Sequence, residues 1–143
     1  MGCDIHIYVE YSTDGEHYEL YASPEFPQSY MLFYMLTGVR KEWVTKNFGD
    51  NVETIFDPRG IPENASFYTL KSDLGYLEYD ERKDSWNVNP TWHSTSYLSL
   101  EEFKTVIESY KKYTNDREIF IYEATINLME ALPHPRVVFW FDN

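Results

Sequence analysis

The run Val137-Val138-Phe139-Trp140-Phe141 constrains the fold more than any other stretch of the chain. Its residues are all β-branched or aromatic, the types that fit a pleated strand best. Successive side chains of a strand point to opposite faces, so a run with no polar member needs apolar cover on both sides. It is expected as an interior strand with layers packed above and below. Pro133 and Pro135, just ahead of it, end whatever helix precedes.

A second strand is expected at the other end of the chain, from Gly2 to Tyr11, and here the residues alternate. Cys3, Ile5, Ile7 and Val9 make an apolar row, while Asp4, His6, Tyr8 and Glu10 make a polar one. Two carboxylates, an imidazole and a phenol on one face suit the floor of a polar site. A solvated edge or a buried structural network accounts for the same types.

Between these ends, Ser12-Thr13-Asp14-Gly15 is a turn signal leading into a hairpin strand over 16–21. Residues 29–39 are rich in Tyr, Met, Leu and Phe and read as a buried helix ended near Gly38. Residues 41–90 read as mostly irregular, with a short strand at Tyr68-Thr69-Leu70 and an acidic, turn-rich excursion from Asp73 to Asn89. Ser99 and Glu102 form a capping box, followed by a helical stripe of Leu100, Phe103, Ile107 and Tyr110. A last helix is expected from about Asp116 to Leu132, with Ile119, Tyr122, Ile126 and Met129 inward. The sum is an α+β fold over residues 1–143, one domain: a small mixed or antiparallel sheet holding both terminal strands, packed by about three helices.

Composition narrows the function classes. A formal charge of −12 argues against bulk nucleic-acid binding, which runs on neutralised phosphates. No apolar run approaches a membrane span, and a single cysteine offers no internal disulfide, so a soluble cytoplasmic protein is expected. Asp57-Pro58-Arg59-Gly60-Ile61-Pro62 is a stiff loop that would present Asp57 and Arg59, to hold an anion or to make a structural turn.

Four stretches together resemble a family of small proteins from phages and prophages: Met1 to His6, Pro58-Arg59-Gly60-Ile61-Pro62, His93-Ser94 with Ser96 and Leu98, and Val138 to Asn143. The likeness spans the chain in order and implies a phage or mobile-element origin, hence the cytoplasm of a host cell. It implies little about chemistry. Gln28-Ser29-Tyr30 stands where the family often has Arg-Asn-Tyr, and Thr95 replaces the second histidine of a frequent His-Ser-His-Ser, removing an imidazole from position 95.

The candidate site residues follow from these motifs. Asp4, His6, His93 and Asp142 form a mixed nitrogen and oxygen set that would suit one zinc or manganese ion. Asp4, His6 and His93 would then be catalytic in a metal-assisted phosphoester hydrolysis. Without a metal, Arg40, Asp57 and Arg59, with Ser94 and Ser96, would hold a phosphorylated or nucleotide-like molecule, and Trp92 or Trp140 would stack on a base. Catalysis by Cys3 is disfavoured, because alternation sends it to the face opposite His6. Three classes stand: a hydrolase, a binder that sequesters a host nucleotide signal as an anti-defence device, and an acidic protein that inhibits a host defence partner.

Overall fold

The computed structural model describes residues 2–72 and 75–142. Four strands form one antiparallel sheet: β1 (Ile5–Tyr11), β2 (Glu19–Ala22), β5 (His93–Ser99) and β6 (Arg136–Phe141), in the order β2-β1-β6-β5. The terminal strand β6 is interior, and every one of its residues is buried. Val137, Phe139 and Phe141 join the larger core on one face, while Val138 and Trp140 pack on the other with Tyr8. The apolar run thus has cover on both sides, as its composition demands.

The larger face is covered by α1 (Tyr30–Thr37), α4 (Leu100–Tyr113) and α5 (Ile119–Glu130). Helix α1 is buried nearly all round; Ser29 caps it, and Gly38 ends it at φ 84°, the left-handed region that glycine enters without steric cost. Helix α4 starts on the Ser99–Glu102 capping box and buries Phe103, Ile107 and Tyr110. Leu20, Ile61, Tyr76, Trp92 and Tyr97 cover the opposite face.

The chain is more regular between residues 41 and 90 than its sequence suggests. It holds α2 (Lys41–Phe48), α3 (Phe67–Leu70) and a separate hairpin of β3 (Leu77–Asp80) and β4 (Ser85–Val88). There are therefore five helices among the described residues, not about three. Residues 68–70 are helical and not a strand: the Ser66 hydroxyl accepts from Tyr68 N–H at 3.2 Å and starts the turn. Of the acidic excursion, Asp73 and Leu74 lie outside the described residues; the remainder is largely the hairpin.

Candidate functional site

The start of β1, the end of β6 and the start of β5 come together at one end of the sheet. Most of the candidate residues collect there, divided between its two faces.

On the face opposite the helices, the His6 ring nitrogen Nε2 bonds Asp142 Oδ2 at 2.8 Å. The other carboxylate oxygen of Asp142 accepts from Asp4 N–H at 3.0 Å. The Trp92 ring lies 5.0 Å from the His6 ring, and its indole N–H donates to Gly75 O. The polar row of β1 does meet Asp142, as alternation and strand pairing require. At the far end of the same row, Glu10 is fully buried against Arg136 at 2.7 Å. Its second oxygen accepts from Ser66 N–H and the Thr69 hydroxyl. Part of the row is thus a satisfied structural network.

His93 lies on the other face. It pairs with Phe141 in the β5–β6 register, and its ring stacks on that side chain at 6.3 Å. Residues paired across strands share a face, so His93 stands away from His6 and Asp142. The four-residue set Asp4, His6, His93 and Asp142 is split by the sheet. Among the described residues no three His, Cys, Asp or Glu side chains converge as metal ligands would.

The helix-side face presents a different arrangement. His93, Arg40, Lys41, Glu42, Trp43 and Val39 line a cavity of about 520 Å³ between the start of β5 and the first turn of α2. Arg40 sits at φ 61° and Ser94 at φ 55°, left-handed conformations that cost a non-glycine residue of order 1 kcal/mol each. The Arg40 guanidinium lies over the Tyr30 ring at 5.1 Å, and the Trp43 ring meets Tyr30 edge-on at 5.4 Å. Arg40 Nη2 and His93 Nε2 are both buried with no hydrogen-bond partner among the described residues. The other ring nitrogen of His93 bonds Ser94 Oγ at 3.0 Å. When that hydroxyl donates, Nε2 carries the proton and is a donor lacking an acceptor. Leaving such groups unmet costs about 1–3 kcal/mol apiece.

Cys3 lies on this core face, as alternation predicts, and is 1% exposed. Burial pushes its thiol up; the Arg40 guanidinium beside it pulls the other way. That setting suits an inert buried thiol.

The remaining expected ligand residues are placed elsewhere. Arg59 is committed to Glu102 by two bonds, Nη1–Oε1 at 2.8 Å and Nη2–Oε2 at 2.5 Å. Its backbone N–H donates to Ser96 Oγ at 3.1 Å, and Gly60 N–H donates to Thr95 O. The stiff loop therefore pins the irregular part of β5 and leaves Ser96 fully buried. Asp57 is exposed on that loop. Trp140 is fully buried and open to no ligand. The ring at the cavity is Trp43, 39% exposed, on α2. Its aromatic ring in a polar stretch marks Trp43 as an anchor, but not for a ligand; its place at the cavity follows from α2, which puts it one turn from Arg40.

Comparison with family models, curated proteins and solved structures finds no match to this chain.

Proposed function

We propose that the protein binds a phosphorylated, nucleotide-like small molecule in the Arg40–His93 cavity. The observation that carries this reading is the pair of buried, unpartnered nitrogens on two residues lining one cavity. A phosphoryl group supplies acceptors for both: Arg40 binds it through charge-assisted bonds, and His93 Nε2–H adds a third donor direction. Lys41 brings a further positive charge to the lining, so two cations face one carboxylate, Glu42, on a chain of net charge −12. Trp43 offers its ring to a base about one helical turn from Arg40, a separation that suits a phosphate and a base joined by a sugar.

Binding is favoured over metal-assisted hydrolysis because His6 and Asp142 pair with each other on one face and His93 lies on the other. The phage origin implied by the motifs gives such a binder a use, the sequestering of a host nucleotide signal.

Calorimetric titration of the full chain with inorganic phosphate, ribose 5-phosphate, nucleoside 5′-monophosphates and cyclic nucleotides tests the proposal. At least one nucleotide should bind, and Arg40→Gln and His93→Gln should each weaken it about tenfold or more while leaving the melting temperature within a few degrees. Binding indifferent to both substitutions, or none across the panel, would refute it.

A further inference from the structure

A second place on the molecule offers unmet groups, and it lies on the other side of β1 from β6. Asp142 N–H donates to Asp4 O, which turns the backbone groups of the even-numbered β1 residues toward β6 and those of the odd-numbered residues toward β2. Strand β2 covers that edge only from Val9 to Tyr11. Two residues beyond Ala22, opposite Ile7 by count, stands Pro24, which has no N–H to give, and residues 23–29 are not a strand. Side chains answer some of the exposed edge: Ser23 Oγ donates to Ile7 O at 3.2 Å, and Gln28 Nε2 donates to Cys3 O at 3.0 Å. Among the described residues, no bond from this side reaches the N–H or C=O of Ile5 or the N–H of Ile7. A groove of about 520 Å³ runs along this edge. Phe26 and Ile121 give it apolar lining, while Ile5 and Ile7, whose side chains are buried in the core, present their backbone; Asp4, Glu25 and Glu118 are its exposed charged groups, with no lysine or arginine among them.

We propose that this open half of the β1 edge is a docking slot for an extended, cationic peptide segment, bound by strand addition. The edge supplies donors and an acceptor in strand geometry, so the main chain of the peptide gives affinity. Alternate side chains meet the apolar lining and the carboxylates, so apolar–basic alternation gives specificity. The unmet groups run from Ile5 to Ile7, about 10 Å, the length of three extended residues at the centre of the bound segment. A second copy of this chain fits poorly, because symmetric edge pairing sets the same three carboxylates against themselves. The slot is independent of the Arg40–His93 cavity.

The test uses the full chain and three acetylated hexapeptide probes: Lys-Val-Lys-Val-Lys-Val, the same peptide N-methylated at alternate backbone nitrogens, and Glu-Val-Glu-Val-Glu-Val. Anisotropy titration should show the first binding at least tenfold tighter than either other. Hydrogen exchange at the Ile5 amide should slow on binding. Glu25→Lys with Glu118→Lys, both at exposed positions, should weaken the first peptide at least tenfold without lowering the melting temperature. Failure of the lysine peptide to bind, or binding unaffected by N-methylation, would overturn the proposal. So would Ile5 protection that rises with protein concentration in the absence of peptide, since self-pairing would then occupy the edge.

Discussion

Glu10 and Arg136 face each other across the β1–β6 pair, one fully buried and the other nearly so, with the carboxylate and guanidinium 2.7 Å apart. Every neighbour completes the arrangement: Ser66 and Thr69 on Glu10, Asn64 on Arg136, and the Tyr18 ring 3.5 Å under the guanidinium. Removing one member leaves a buried charge without its partner, so Glu10→Ala should cost about 3–5 kcal/mol. Urea denaturation would measure it; a loss under about 1 kcal/mol would contradict the structural role.

The Arg59–Glu102 pair ties the stiff loop to the start of α4. The Arg59 guanidinium holds the Glu102 carboxyl down at about 2. A carboxyl lowered on folding stabilises most above its unfolded value of about 4.3 and loses that contribution as pH falls toward 2. Glu102→Gln retains the capping-box geometry while removing the charge, so it should flatten the acid limb of the stability profile over that window. At neutral pH its cost should be about 1 kcal/mol, because both partners are partly exposed to solvent. An unchanged acid limb would count against the pair.

Arg59 itself becomes a discriminating control. With its guanidinium on Glu102, Arg59→Ala should lower the melting temperature by a few degrees and leave nucleotide affinity within about threefold. A large loss of affinity at unchanged stability would place Arg59 in the ligand site after all.

The two faces of the sheet end give another contrast. His6 bonds Asp142 on the face away from the Arg40 cavity. His6→Gln should therefore weaken the closure of the chain end, seen as faster hydrogen exchange at Asp142 N–H, and leave nucleotide affinity within about threefold. An effect on binding equal to that of His93→Gln would mean that the two histidines act on one ligand.

The two terminal strands were legible because they carry strong, opposite patterns: apolar from Val137 to Phe141 in β6 and alternating in β1. The capping box marked α4 just as clearly. Strand β5 was not so marked: His93 to Ser99 is mostly polar, and its pairing with β6 is irregular between His93 and Ser96. Helices α2 and α3 were not legible. Arg40 enters α2 in a left-handed conformation without a capping side chain, and the helix buries only Val44. At α3 the Ser66 cap and the Thr69 bond to Glu10 outweigh the local β preference of Phe67 and Tyr68. The site was half legible for the same reason. Alternation and pairing brought His6 to Asp142, but which face His93 takes depends on an irregular register within β5. Arg59 has the chemistry of an anion clamp; only tertiary structure shows that Glu102 is the anion it meets.

If Arg40 and His93 act on one ligand, the imidazole nitrogen of His93 reports it most directly. Nitrogen-resolved NMR of histidine-labelled protein should show His93 Nε2 shifting on titration with the nucleotide that binds best in calorimetry, while His6, His17 and His134 hold their positions. In Arg40→Gln the same titration should leave His93 unmoved at concentrations that saturate the wild type. A bound nucleotide that leaves His93 Nε2 unchanged in the wild type would contradict the account.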